Sequence, residues 1–258
     1  MTIDPPMERR DIIAGRLAQG QSVAAGALAE EFSISHDAIR RDLRALAAEG
    51  RCRRVYGGAL PISPASSPIR MRVGEARERK QALAAAAAGS IRPGEFVFLD
   101  NGSTNLALAE ILPSLELTVA TNSVAIAARL ADRRDLRLHL VGGLVDAEIG
   151  GSVDATAVLA LQHMNIDRCF LGACSASAVE GVSAFDAADA AFKRVLLTRS
   201  REIVLMVTTD KLGTGAPHGV TSLDHVGSLV VEHDAATHSE FAAMTRLGVD
   251  IVVSKSPA

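Results

Sequence analysis

Residues 35–59 read Ser35-His36-Asp37-Ala38-Ile39-Arg40-Arg41-Asp42-Leu43-Arg44-Ala45-Leu46-Ala47-Ala48-Glu49-Gly50-Arg51-Cys52-Arg53-Arg54-Val55-Tyr56-Gly57-Gly58-Ala59. Ser35 can cap a helix over His36–Glu49, and Gly50 suits the left-handed residue that ends one. Ile39, Leu43 and Leu46 recur at i, i+4 and i+7, so they share an inward face. Arg40, Arg41 and Arg44 then point outward. Arg51–Val55 reads as a short basic strand and Tyr56-Gly57-Gly58 as a turn. Upstream, Met7–Gln19, entered after Pro5-Pro6, places Ile12, Ile13, Leu17 and Ala18 on one side of a helix. Ser22 can cap a second helix, Val23–Phe32, and Ser33-Ile34 makes a short turn into the third. Helix, helix, short turn, helix and β-wing is the order of a winged helix-turn-helix.

Downstream the pattern changes. Residues 61–68, PISPASSP, hold three prolines and three serines, a composition that opposes a continuous helix and suits a linker. Seven short apolar runs follow: Phe96–Leu99, Leu117–Ala120, Leu136–Val141, Arg168–Leu171, Ile203–Val207, Ser228–Val231 and Asp250–Val253. Helical stretches separate them at Glu75–Ala88, Asn105–Ile111, Ser123–Ala131, Thr156–His163, Asp186–Thr198 and Ser239–Leu247. Strands of Val, Ile and Leu alternating with helices predict an α/β fold, a doubly wound and mostly parallel sheet. The expected division is a winged helix-turn-helix over 1–60, a linker over 61–74 and the α/β domain over 75–258. In such sheets ligands bind beyond the carboxyl ends of the strands.

The 258 residues are 48% apolar and 22% charged, with no Trp, one Tyr and seven Phe. This is ordinary for a soluble domain and unsuited to aromatic stacking of bases or sugars. The net charge of −3 argues weakly against nucleic acid, but its distribution does not: residues 35–60 carry six Arg against three acids, while residues 61–258 carry 18 basic and 22 acidic side chains. A net positive balance is confined to the segment that would meet phosphates. Cys52, Cys169 and Cys174 form no paired motif, which fits a reducing compartment. Met1–Arg10 is polar and proline-broken, without a secretory signal, and no 18-residue apolar run occurs. A cytoplasmic location with no membrane contact is expected. The histidines lack metal-ligand spacing, so neither metal nor cofactor is expected.

Ser35, His36 and Asp37 open the third helix, at the end that enters a major groove. Arg40, Arg41 and Arg44 suit phosphates and guanine edges, and Arg53, Arg54 and Tyr56 lie on the wing within reach of the backbone. Alone, an Arg-rich helix reads as a solvated face with Asp42 neutralising its neighbours. The short turn before it and the basic wing after it favour double-stranded DNA. The run Ile39-Arg40-Arg41-Asp42-Leu43-x-x-Leu46, with Gly50-Arg51-x-Arg53-Arg54-Val55-Tyr56-Gly57-Gly58-Ala59, resembles the signature of the DeoR family. That resemblance implies a DNA-binding module joined to a phosphosugar sensor. Tyr56 departs from the His more common there.

After the first strand of the large segment comes Asp100-Asn101-Gly102-Ser103-Thr104. Backbone N–H groups and hydroxyls at a helix start can wrap a phosphate; the same residues read equally well as a tight turn with Ser103 or Thr104 as N-cap. Polar residues recur after other strands, at Thr121-Asn122-Ser123, Gly142-Gly143, Gly172-Ala173 and Asp210-Lys211-Leu212-Gly213. Asp189 and Lys193 stand four apart, as a surface salt bridge would. These marks also resemble the family's sensor domain, which is similar in fold to ribose-phosphate isomerases. The resemblance implies that Asp100, Gly102, Ser103, Thr104, Asn122, Gly143 and Lys193 line the effector pocket. Asp189 and Phe185 depart from its pattern. The expected function is a repressor of a sugar-metabolism operon, with no catalytic residues, released from its operator by a phosphorylated sugar. The alternative is a sugar-phosphate isomerase or deaminase with a DNA-binding appendage, using Asp100 or Asp186 as base. One winged helix reads a short half-site, so a homodimer or larger even-numbered homo-oligomer is expected.

Overall fold

Residues 6–256 are described by a computed structural model; the expectations that fall on residues 1–5, Pro5 among them, and on 257–258 lie outside the described residues. Helices α1 (Pro6–Ala18), α2 (Ala25–Glu31) and α3 (His36–Ala48) enclose a small core of Ile13, Leu17, Leu28, Ile39, Leu43 and Leu46. The i, i+4, i+7 row of α3 is the row that is buried. Ser35 caps α3, accepting from the Ala38 N–H at 3.3 Å. The second helix starts later than expected. Val23–Ala24 is a strand, β1, paired antiparallel with β3 (Gly58–Leu60), which pairs in turn with β2 (Arg53–Val55). The wing sheet therefore claims Val23 and Ala24, and the N-cap passes from Ser22 to Ala24, which makes no side-chain cap. Asp42 does not neutralise the outer arginines. It is buried against Arg9 of α1 at 2.7 Å, so α1 and α3 are joined by an interior ion pair.

The large domain has one sheet of seven parallel strands. They are β4 (Phe96–Leu99), β5 (Thr118–Thr121), β6 (Arg137–Leu140), β9 (Ile166–Leu171), β12 (Ser200–Val207), β14 (Ser228–Val231) and β15 (Asp250–Val253), ordered β15-β14-β12-β9-β4-β5-β6. Every expected strand is present. Alternation divides their side chains between two cores, as a pleat requires. Val97, Leu99, Phe170, Val204 and Met206 face α5 (Arg77–Ala88), α6 (Ser103–Glu110) and α7 (Val124–Leu130). Phe98, Cys169, Leu171, Leu205 and Val207 face α8 (Ala155–Leu161), α9 (Ala187–Thr198) and α10 (Phe241–Arg246). Both faces are covered over the inner strands, hence their near-continuous apolar runs, while the edge strands β6 and β15 are exposed or half-buried.

Three features depart from the expected pattern. A hairpin, β7 (Val145–Asp146) with β8 (Gly151–Ser152), follows β6. A second sheet joins β10 (Ser175–Ser177), β11 (Gly181–Ala184) and β13 (His218–Thr221) antiparallel. The connection between the modules is bound to the large domain along its length. The Pro61 carbonyl accepts from the Gly215 N–H at 3.0 Å, the Ser63 hydroxyl donates to the Cys174 carbonyl, and the Ile69 N–H donates to the Glu148 carbonyl at 2.9 Å. Its prolines allow only a single 3-10 turn, Pro64–Ser66, and the short helix α4 (Ile69–Arg72). Among the described residues no helix is long and apolar enough to cross a membrane.

Candidate functional site: a strand-end pocket and a basic helix face

The chain leaves β4 toward β5 and β6 on one side and, after returning, builds β9, β12, β14 and β15 on the other. The crevice between adjacent β4 and β9 is therefore the topological switch point, where open parallel sheets bind ligands. Asp100 follows β4 and Gly172 follows β9. The Gly172 N–H donates to Asp100 Oδ2 at 2.9 Å, and the Asn101 N–H to Asp100 Oδ1 at 2.9 Å and to Asn122 Oδ1 at 3.0 Å. Asn105 donates to the carbonyls of Asp100 and Phe170, both at 2.8 Å. A Cβ on Gly172 would come within 2.1 Å of the Asn101 carbonyl oxygen, backbone that cannot swing aside. Gly172→Ala is therefore expected to cost about 1–3 kcal/mol by overpacking; an unchanged urea midpoint would show that the crevice is looser than this.

Lys193 of α9 enters the crevice from below. Its side chain is 2% exposed; Nζ lies 3.0 Å from Asp100 Oδ2 and donates to Asn101 Oδ1 at 2.9 Å and to Asp189. Burial alone would depress this ammonium, but Asp100 and Asp189 outweigh it and hold its pKa above the ordinary value. Burial pushes Asp100 the other way, to about 6, against the pull of Lys193. The Asp189–Lys193 spacing is thus part of an interior triad, not a surface pair.

Above the triad lies a pocket of about 200 Å³. Gly102, Ser103, Thr104 and Lys193 line it, with Asn101, Gly172 and Cys174. The first turn of α6 opens into it with no side-chain cap. The connection contributes Ala65–Pro68 and Arg72, and the β7–β8 turn contributes Glu148 and Ile149. Lys211, just past β12, completes the wall. Buried Lys80 of α5 stands in a side recess shared with Ser103, Arg72 and Lys211. Arg72, Lys80 and Lys211 enter none of the ion pairs among the described residues, in contrast to Lys193. Burial, then Lys211, pushes the Lys80 ammonium down to about 8, and burial lowers Lys211, with Arg72 adding to the effect. Arg72 and Lys211 line the pocket beside the uncapped helix start, while Lys80 stands in the adjoining recess with Glu75 and Asp210, its Nζ donating to the Arg72 and Glu75 carbonyls; cations crowded at a helix start favour an anion. No group of three or more His, Cys, Asp or Glu suited to a metal occurs among the described residues.

The outer face of α3 is basic. His36, Asp37, Arg40, Arg41 and Arg44 are exposed, as are Arg54 and Tyr56 on the wing. Arg40 approaches Asp37 at 3.5 Å, while Arg41, Arg44 and Arg54 have no acidic partner among the described residues. Arg53 departs from the expected set. It turns inward, half-buried, and pairs with Glu180 of the large domain at 3.3 Å.

A family model of the "DeoR C terminal sensor domain" matches residues 75–233, and one of the "DeoR-like helix-turn-helix domain" matches residues 9–65. The chain belongs to the DeoR family. It is 32% identical over 254 residues to the uncharacterized HTH-type transcriptional regulator YgbI of Escherichia coli K12, covering 97% of this chain and 99% of that protein. It is 29% identical to the glycerol-3-phosphate regulon repressor of the same strain, over 87% of this chain and 90% of that protein. Among solved structures, ribose 5-phosphate isomerase A of Methanocaldococcus jannaschii is similar over 52% of this chain and 54% of that one, with TM-score 0.39 and 15% identity. That degree of likeness decides nothing about the site.

In this DeoR-family chain the seven sensor residues singled out from the sequence occupy three kinds of position. Gly102, Ser103, Thr104 and Lys193 line the pocket. Asp100 and Asn122 are fully buried behind it: Asp100 holds Lys193 and Gly172, and Asn122 holds the Asn101 N–H and the Ser152 carbonyl. Gly143 is away from the pocket. Its backbone (φ +145°) runs so close to the Asp154 carboxylate that a Cβ would meet Oδ1 at 2.2 Å, and Asp154 caps α8. This glycine serves a helix start. Arg72, Lys80 and Lys211 escaped selection. Lys211 carried a usable signal, since it too follows a strand; Arg72 and Lys80 carried none.

Proposed function

We propose that this chain is a DNA-binding repressor of a sugar-metabolism operon, released from its operator when a phosphorylated sugar occupies the strand-end pocket. The observation that carries this reading is that Arg72 and Lys211, in no ion pair among the described residues, line the pocket at the uncapped start of α6, Gly102-Ser103-Thr104, with Lys80 in the recess beside it. A phosphate there takes backbone N–H donors and neutralises charge that is costly to bury alone. The pocket is smaller than the roughly 300–1,000 Å³ common for drug-sized ligands, which suits a compact sugar phosphate. The relatives named as a regulator and a regulon repressor support the regulatory half. The isomerase or deaminase alternative is disfavoured at Asp100, which is sealed behind Lys193; Asp186 lines the pocket with one carboxylate oxygen on the Asp189 N–H at 2.8 Å, and a turnover assay tests it directly. Operator readout by a short helix calls for two copies in a homodimer or larger even assembly, working in the cytoplasm where sugar phosphates reside.

The deciding experiment is a thermal-shift screen of the full chain against phosphorylated sugars, followed by operator release with any hit. A ligand at 100 times its Kd stabilises by about 2.7 kcal/mol. A hit that is converted to product while operator stays bound would overturn the reading. On the DNA side, Arg41→Ala is expected to weaken binding and reduce the salt slope by about one if Arg41 meets a phosphate, with thermal stability unchanged because Arg41 is exposed. Wild-type affinity at equal salt would remove Arg41 from the interface.

A further inference from the structure

The antiparallel hairpin β10–β11 has its base in the pocket and its tip on the wing. It departs from Gly172–Cys174 and returns into Phe185-Asp186, and all of these line the pocket. Beside its base, Leu212 bridges Ala176, and the Gly213 N–H donates to the Ala176 carbonyl at 2.8 Å, so Lys211 and the hairpin are locked together. At the tip, the Glu180 N–H is fixed by Ser177 Oγ at 3.0 Å, and its carboxylate takes Arg53 Nε of β2 at 3.3 Å. The Arg53 stem lies over Gly215, where a Cβ would come within 2.8 Å of Cγ. Gly215 is the residue that holds Pro61 of the connection.

We propose that residues 175–184 form a lever that carries pocket occupancy to the wing, with Glu180–Arg53 as its hitch. The proposal rests on the reading of the pocket as an anion site. An anion drawing Lys211 and the Gly172–Cys174 turn toward itself shifts the base, and the rigid hairpin hands that shift to β2. Glu180 and Arg53 are then positioning residues: they set the orientation of Arg54 and Tyr56 on the wing and touch neither DNA nor ligand. Side chains 36% and 23% exposed make an ion pair of little weight in stability, so the pair can be altered without unfolding the chain.

The sequence supplies its own reporter. Trp is absent and Tyr56, fully exposed on the wing, is the single tyrosine. Tyrosine fluorescence anisotropy of the full chain therefore reads the wing alone. Three proteins are compared, wild type, Glu180→Arg, and the charge-swapped Arg53→Glu/Glu180→Arg, each with and without inorganic phosphate as the probe. Glu180→Arg is expected to lower the anisotropy by freeing the wing, and the swap to restore it. Phosphate is expected to raise Tm equally in all three, but to change anisotropy only in wild type and the swap. Anisotropy of Glu180→Arg equal to wild type, or responding to phosphate as wild type does, overturns the lever. A Tm unmoved by phosphate in every protein overturns the anion reading instead, and the hitch is then judged by the phosphate-free anisotropies.

Discussion

Lys193→Met will cost the large domain about 3–5 kcal/mol at neutral pH, the usual penalty for stranding a buried partner charge. Against a typical total of roughly 5–15 kcal/mol, this leaves the chain marginal. Methionine fills the space of the stem, so the loss is electrostatic: Asp100 and Asp189 remain buried with no cation between them. The effect depends on pH in a direction fixed by Asp100. Its folded pKa is raised, to about 6 even with Lys193 present, above the roughly 3.9 of an unfolded Asp. A carboxyl of that kind favours the fold when protonated; its contribution is complete below about 4 and is lost as pH rises through the folded value. Without Lys193 the folded pKa rises further. The gap between variant and wild-type urea midpoints will narrow from pH 8 to pH 5, and adding Asp100→Asn will recover stability at pH 8. A gap constant across that range would show that the triad is held by packing instead of charge.

Lys211→Met will act with opposite signs on the two states of the pocket. Lys211 is a buried cation with no ion-pair partner among the described residues, its pKa depressed first by burial. Replacing it removes a desolvation cost, so the unliganded protein will be as stable as wild type or more so. Affinity for a sugar phosphate will fall, by about 10- to 150-fold if one charge-assisted contact of roughly 1.5–3 kcal/mol is lost. On the function proposed above, operator binding without ligand will be unchanged while release by the ligand is lost. Lys80, in the recess beside the pocket, adds a pH dependence through its charge at a distance. With its pKa lowered to about 8, it is charged below that value, and affinity for the anion will fall as pH rises through 8. The checks are ligand titrations by thermal shift at pH 7 and 9. A Lys211→Met protein that binds as wild type would move the anion to another wall of the pocket.

The sheet was legible because its inner strands, β4, β5, β9, β12 and β14, are buried on both faces. Runs such as Ile203–Val207 have no other reading when helices flank them, and their order put Gly102-Ser103-Thr104 at a strand end. The row Ile39, Leu43, Leu46 likewise separated the buried and outer faces of α3. What escaped was built from residues with weak local preference. The hairpin strands Ser175–Ser177 and Gly181–Ala184 are Ser, Ala and Gly with one Val, and pair because neighbouring backbone is there to receive them. The prolines of 61–68 excluded a long helix but gave no warning that Pro61, Ser63 and Ala65 would be buried against the large domain. Arg72 and Lys80 meet Lys211 only through tertiary folding. Gly143 was misjudged because a glycine at a strand end serves a ligand or a crowded neighbour alike, and here the neighbour is Asp154.

The switch point also sets an order of events in the life of each molecule. β4 must wait for β9, and the Gly172–Asp100 hydrogen bond that joins their ends spans 72 residues of chain. Closing so long a segment carries an entropic penalty before any contact rewards it, and parallel pairings of this kind form slowly. The N-terminal module closes over short separations, is synthesised first and can fold as a unit while the rest is still emerging from the ribosome. A nascent or truncated chain thus completes its helix-turn-helix module before the sensor domain that follows it is closed.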